Sequence, residues 1–272
     1  MKAKKIIAVL LVLALCVSFA ACGNKDDEKK TVTIGASVTP HAEILREAQP
    51  LMAEKGFELV VKEYNDYIIP NTATESGELD GNYFQHINYL NDFNPKNDTH
   101  LVVAAEIHYE PLGLYVGKDA PADVTAIPQN ATIAVPNDPT NEARALMLLE
   151  AEGIITLKEG AGLTATVVDI VENPKNIVIE EIEAAQLARS LEDVDYAVIN
   201  GNYAIQGNLK IADAIAVESK ESEAIKEYVN ILVVKEGNEN NEGIKALAEV
   251  LQTETIKNFI NETYGGAVVP MF

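Results

Sequence analysis

Three observations predict that this chain is an α/β protein of two lobes. Strand-like and helix-like hydrophobic patterns alternate along nearly its whole length, which points to helices layered on largely parallel sheets. About 240 residues follow a polar break near Lys30, enough for two separate cores. Tyr109-Glu110-Pro111-Leu112-Gly113 sets a proline and a glycine between two apolar runs, which suits a crossing between lobes. The return crossing is expected near Tyr228 to Leu232. Lobe one is then residues 31–110 plus 231–272, and lobe two residues 111–230.

The elements follow in order. Lys2, Lys4 and Lys5 precede the apolar run Ile6 to Val17, which is too short to span a bilayer stably. It ends in Phe19-Ala20-Ala21-Cys22-Gly23, small residues before a cysteine, resembling a bacterial lipoprotein signal over residues 1–21. Cys22 would carry the lipid, although leucine is more usual where Phe19 stands. An ordinary cleavable signal with an incidental Cys22 is the alternative. Either way Cys16 is removed, so the mature chain has one cysteine and no internal disulfide. Residues 22–30 are polar and read as a flexible tether.

Val32 and Ile34 alternate with polar residues in a first strand, which turns through Gly35 to Pro40 into a helix from about His41 to Lys55. Phe57 to Val61 is a strand, Pro70 to Glu78 a helix and Leu79 to Phe84 extended, followed by a short helix. Strands are expected at Leu101 to Ile107, Leu112 to Val116 and Ile133 to Val135. Asp138-Pro139 is a helix N-cap and first-turn proline, opening a helix to Glu152. Val167 to Val171 and Ile177 to Ile182 read as strands, Ala184 to Leu191 as a helix and Tyr196 to Ile199 as a strand. A helix begins after Asn200. Val229 to Val234 is β-branched, and helices close the chain at Glu242 to Leu251 and Glu254 to Thr263.

The formal charge is −21, and −24 once the three leader lysines are removed. So acidic a surface argues against nucleic acid and against adhesion to anionic lipid. Gly-x-Ser-x-Gly, the phosphate-binding Gly-x-x-x-x-Gly-Lys and the dinucleotide Gly-x-Gly-x-x-Gly are all absent, so neither an enzyme nor a cofactor is indicated. His41, His86, His100 and His108 lack close ligand spacing, although folding could bring them together around zinc.

The chain has three arginines, and one of them, Arg144, lies just inside the helix that follows Thr132 to Val135. Strand-to-helix junctions at the carboxyl end of an α/β sheet bind anions, and a guanidinium grips a carboxylate at two points. A surface ion pair with Glu142 or Glu150 explains Arg144 equally well. Asn82 to Tyr89 places aromatic, amide and imidazole groups together, as small-ligand pockets do. Its aromatics also suit a core, and His86 could satisfy a buried carbonyl. Asn200 sits at another strand-to-helix junction, where it can bind ligand or cap the helix. Asn230 puts an amide inside a β-branched strand, where it needs a partner.

These motifs occur together in one known family. Asn65-Asp66-Tyr67, Asn82-Tyr83-Phe84-Gln85-His86, Val135-Pro136-Asn137-Asp138-Pro139-Thr140-Asn141, Val171-Glu172-Asn173-Pro174-Lys175-Asn176, Leu187-x-Arg189-Ser190-Leu191, Tyr228-Val229-Asn230 and Gly265-Gly266-Ala267-Val268 carry the likeness. Over nearly its whole mature length the chain resembles the methionine-binding lipoproteins of bacterial ABC importers, the NlpA lipoprotein family. The resemblance implies a type II periplasmic-binding-protein fold, with two mixed sheets flanked by helices and a two-segment hinge. It also implies a monomeric, non-enzymatic receptor, anchored outside the cytoplasm by lipid on Cys22, that hands L-methionine to a permease and ATPase. Arg144 would hold the α-carboxylate, and Asn200 and Asn230 the carboxylate and amino group. Tyr67, Phe84, His86 and Tyr89 would wall the side chain. Asn88 stands where the family has proline, and Lys226-Glu227 where it has Ser-Pro. Relatives also bind dipeptides or other amino acids, so those ligands, and zinc, are the alternatives.

Overall fold

The computed structural model describes residues 30–219 and 223–272. The expected signal, the tether and Cys22 lie outside the described residues. Among those described, no helix is long and apolar enough to cross a membrane.

The strands are β1 (Lys30–Ser37), β2 (Phe57–Tyr64), β3 (Gly81–His86), β4 (Leu101–Tyr109), β5 (Gly113–Val116), β6 (Thr132–Pro136), β7 (Thr156–Leu157), β8 (Ile170–Glu172), β9 (Val178–Ile182), β10 (Tyr196–Ile199), β11 (Ala216–Val217), β12 (Val229–Lys235) and β13 (Val269–Pro270). The helices are α1 (His41–Glu54), α2 (Ile69–Ser76), α3 (Ile87–Asn97), α4 (Pro139–Ala151), α5 (Leu187–Ser190), α6 (Gly201–Gln206), α7 (Glu242–Leu251) and α8 (Glu254–Tyr264).

Two principal sheets result, ordered β13-β4-β12-β3-β1-β2 and β11-β5-β10-β6-β9. The chain passes from the first sheet to the second between Tyr109 and Gly113, and is back in the first from Val229. Both sheets are mixed. In the first, β1 and β3 run parallel, but β12 runs antiparallel to both β3 and β4. In the second, β10-β6-β9 are parallel and β5 runs against β10. Alternation alone predicts more parallel pairing than this. The returning β12 enters its sheet from the far lobe, so no local crossover dictates its direction.

Each sheet has its own core. Ile34, Ile44, Leu45, Tyr83, Leu232 and Leu247 pack in the first, and Leu114, Ile133, Leu146, Leu149, Tyr196 and Val198 in the second. α1 contributes Ile44, Leu45, Ala48 and Met52, one apolar stripe at helical spacing. The segment from Val167 departs from expectation, forming a 3-10 turn at Val167–Asp169 before the short β8. Val168 and Val171 are exposed, at 86% and 60%, so most of the β-branched run had no face to bury. The expected Ala184 to Leu191 helix is likewise divided, into a 3-10 turn and the single-turn α5.

Candidate functional site

Where the two sheets face each other, a cavity of about 330 Å³ is lined by Tyr67, Phe84, Gln85, His86, Tyr89, Glu110, Asn141, Arg144, Asn200, Gly201, Asn202 and Asn230. The seven residues expected at a ligand site, Tyr67, Phe84, His86, Tyr89, Arg144, Asn200 and Asn230, all line it. They come from strand ends and helix starts. β3 ends in Phe84, Gln85 and His86, and Asn230 lies beside His86 in the register of β12 with β3. Arg144 is in the second turn of α4, whose first turn is fixed by Asp138, an N-cap that accepts from the Asn141 N–H at 3.1 Å.

Arg144 is 3% exposed and pairs with neither Glu142 nor Glu150. Those carboxylates instead accept from the backbone N–H groups of Val167 and Leu157. Its partner is Glu218, which follows β11: Nε donates to Oε1 at 2.9 Å and Nη2 to Oε2 at 2.5 Å. Nη2 also donates to the Glu110 carbonyl at 2.7 Å, and the guanidinium lies 4.2 Å from the centre of the Tyr228 ring. Burial opposes the charge on Arg144, but the Glu218 carboxylate outweighs it and holds the arginine charged. Burial likewise opposes the charge on Glu218; Arg144, helped by Tyr109 and the Leu112 N–H, keeps its carboxyl below the usual range. These contacts engage Nε and Nη2, and none of them engages Nη1.

The amides form one directional chain. Asn141 Nδ2 donates to Asp138 at 2.9 Å, so its Oδ1 is the acceptor, and it accepts twice: from His86 Nε2 at 3.1 Å and from Asn200 Nδ2 at 2.8 Å. His86 Nδ1 accepts from the Tyr89 N–H at 3.0 Å, which makes His86 the N-cap of α3 and sets its tautomer. Burial, then the charge of Arg144, push the His86 pKa down to about 3, so the ring is neutral. With its nitrogen engaged, Asn200 keeps a buried Oδ1 that has no partner. Asn202 is its complement: Oδ1 accepts from the Tyr67 hydroxyl at 2.6 Å, leaving a buried Nδ2 without one. Native proteins rarely bury polar atoms unsatisfied. An orphaned acceptor and an orphaned donor in one cavity call for a ligand that carries both functions.

The aromatic end is continuous. The Tyr67 ring lies between Phe84 at 5.7 Å and Tyr203 at 5.0 Å, and Tyr89 closes the corner at 5.8 Å from Tyr67. The site therefore has a polar end and an apolar aromatic end.

Behind the polar end, folding brings together His41 and His108, two of the dispersed histidines, with Glu110. Their ligating atoms lie within 4.8 Å of one another, so these are the described residues that could hold a divalent cation. Most of their polar atoms are already hydrogen-bonded, although His41 Nδ1 is buried without a partner. His108 Nε2 donates to Glu110 Oε1 at 2.7 Å, the Tyr83 hydroxyl meets His108 Nδ1, and His41 Nε2 donates to Asn230 Oδ1 at 2.9 Å. Burial pushes His41 down to about 4 and His108 to about 3, and pushes the Glu110 carboxyl up. Asn230 thus has its oxygen tied to His41, which turns its nitrogen into the donor edge.

Sequence reasoning missed Gln85, Glu110, Asn141, Gly201 and Asn202 as lining residues. Gln85 and Asn141 stood inside motifs already singled out, Glu110 sits beside the crossover proline, and Gly201 and Asn202 directly follow Asn200. The signal was position next to an expected contact. Gly201 is required there, because a Cβ would meet the Glu110 side chain at 2.8 Å. Asn88, where a proline was expected, is not a lining residue.

The profile of the NlpA lipoprotein family matches residues 32–272. The chain belongs to the NlpA lipoprotein family. Among its relatives, the methionine-binding lipoprotein MetQ of Bacillus subtilis is 41% identical over 276 residues, covering 98% of this chain and 99% of that protein. A nutrient-binding protein of Burkholderia cenocepacia, solved bound to methionine, is 41% identical with a TM-score of 0.84, covering 89% of this chain and all of that one. A lipoprotein structure from Ruminococcus gnavus is 53% identical with a TM-score of 0.87, again over 89% and 100%. The NlpA chain described here therefore has the two-lobed fold of the substrate-binding proteins it matches.

Proposed function

We propose that this chain is a lipid-anchored receptor, not an enzyme, that captures L-methionine outside the cytoplasm and delivers it to an ABC importer. The observation that carries the reading is the cavity's division into a polar end with orphaned donor and acceptor atoms and an end walled by aromatic rings. An amino-acid zwitterion fits the first. Arg144 Nη1, Asn202 Nδ2 and the Asn230 amide nitrogen supply donors for a carboxylate. Asn200 Oδ1 and the Glu110 carboxyl supply acceptors for an ammonium. A thioether, apolar and polarizable, fits among Tyr67, Phe84 and Tyr89. The named ligands of the Bacillus and Burkholderia relatives support the same assignment.

In this proposal the lobes are residues 31–110 plus 231–272 and residues 111–230, hinged at the two crossings. The contacts His86–Asn141 and Tyr67–Asn202 bridge these two lobes, and a ligand touching both would favour closure. Cys22 would hold the monomer to the membrane through lipid, with residues 22–30 as tether.

The test is a thermal-shift and calorimetric screen of amino acids and dipeptides on protein stripped of ligand by partial unfolding. L-Methionine at 100 times its dissociation constant should stabilise by about 2.7 kcal/mol, or roughly 5–10 °C. A shift with methionyl dipeptides but none with methionine would move the assignment to dipeptides. A zinc receptor, which the His41–His108–Glu110 cluster would favour, predicts that a chelator abolishes ligand-induced stabilisation.

A further inference from the structure

A second cavity, of about 410 Å³, adjoins the first. It is lined by Asp66, Tyr67, Ile68, Tyr89, Asn137, Asp138, Glu183, Ala184, Ala185 and Tyr203. The two cavities share Tyr67 and Tyr89, which belong to the aromatic end. Arg144, Asn200 and Asn230 are not among the outer cavity's walls. A ligand held at the polar end by its zwitterion would therefore point its side chain toward this outer chamber.

The chemistry of the chamber is specific. Each of its three tyrosines commits its hydroxyl to a protein acceptor: Tyr67 to Asn202 at 2.6 Å, Tyr89 to the Tyr67 carbonyl at 2.9 Å and Tyr203 to the Asn65 carbonyl at 3.2 Å. The rings are thereby fixed around the space. Three carboxylates, Asp66, Asp138 and Glu183, also line it, and among the described lining residues none is basic. Asp138 caps α4 and Asp66 accepts from the Ile68 and Ile69 N–H groups, so these two are held in place at the wall, while Glu183 is exposed. Aromatic faces beside negative charge attract alkylated cations, which are too weakly hydrated to prefer water strongly. A neutral thioether tip gains nothing from this negative charge.

We propose that the outer chamber is a subsite for a positively charged side-chain end, so that the cleft takes a methylsulfonium amino acid as well as methionine. The inference rests on the methionine reading of the inner cavity. S-Methyl-L-methionine is the probe, and L-ethionine is its control, since each adds one carbon to methionine and only the first adds a charge.

Titration calorimetry of the full mature chain at low salt should show the sulfonium binding about tenfold more tightly than ethionine. Raising the ionic strength to several hundred millimolar should remove most of that difference, because the chamber is open and its charges are screened. Glu183→Gln, at an exposed side chain, should weaken the sulfonium about threefold and leave methionine and ethionine unchanged. A mere entrance to the cleft would treat the two probes alike. The proposal is overturned if methionine binds while the sulfonium does not, if ethionine binds as well as the sulfonium, or if salt and Glu183→Gln leave their ratio unchanged. Sulfonium binding without methionine binding would uphold the outer subsite and refute the methionine receptor. Failure of both would refute both.

Discussion

Arg144→Lys is the most informative perturbation of the polar end, because it preserves charge and removes geometry. The guanidinium serves two edges at once: Nε and Nη2 reach Glu218 at 2.9 and 2.5 Å and the Glu110 carbonyl at 2.7 Å, and Nη1 would take the ligand carboxylate. A lysine ammonium is a single point charge and cannot span both sides. Glu218, 15% exposed and held charged, is already in place and would retain it. The ligand carboxylate would then lose its charge-assisted bond, about 1.5–3 kcal/mol, or roughly 10- to 150-fold in affinity. Stability should fall less, by about 1 kcal/mol for the stranded Glu110 carbonyl. Titration calorimetry with L-methionine gives the first quantity and urea unfolding the second. Wild-type affinity in a folded Arg144→Lys protein would refute the carboxylate assignment. An equal loss in both quantities would mean that Arg144 acts on the fold alone.

Three further outcomes follow from the same geometry. His41, His86 and His108 are neutral in the fold, with pKa values near 4, 3 and 3, against 6.5 when unfolded. Below pH 6.5 the unfolded chain takes up protons that the folded chain refuses, so stability falls as pH drops from 6.5 toward those values. At pH 5 the loss is about 2 kcal/mol per histidine, reduced by Glu110 and Asp138, whose raised carboxyls act in the opposite sense. An unchanged urea midpoint between pH 7 and pH 5 would contradict this. Gly201→Ala should destabilise by about 1–3 kcal/mol and weaken methionine binding, since its Cβ would press on Glu110 at 2.8 Å; an unaltered melting temperature would show that Glu110 yields freely. Tyr228→Phe keeps the ring under Arg144 and deletes a buried hydroxyl that meets the Asn88 side chain without a well-formed hydrogen bond, so affinity and stability should hold within about 0.5 kcal/mol. A larger loss of affinity would place that hydroxyl on the ligand.

Periodicity and capping chemistry made much of the fold legible. Tyr196–Ile199 and Glu242–Leu251 match their expected bounds, and Asp138-Pro139 opens α4 as its side chains require. These are local properties: a run alternates or recurs every three to four residues, and a carboxylate caps its own helix. Where burial decided the outcome, as at exposed Val168 and Val171, the β-branched pattern misled. The seven expected lining residues do converge on one cavity. They were readable because strand ends and helix starts collect at the carboxyl edges of sheets, and because their motifs resemble one family.

Sequence alone thus determined residue types, helix caps and the two-lobe plan. Partnership was decided only by tertiary structure. Arg144 could be assigned to Glu142 or Glu150 while distance along the chain was the guide; the fold instead delivers Glu218, 74 residues away. His41 and His108 read as scattered until α1 meets the end of β4 and sets them beside Glu110. Which atom of each amide faces the cavity is a nonlocal result too. It follows from which neighbour has already taken the other atom: Tyr67 for Asn202, His41 for Asn230 and Asn141 for Asn200, each more than fifty residues away.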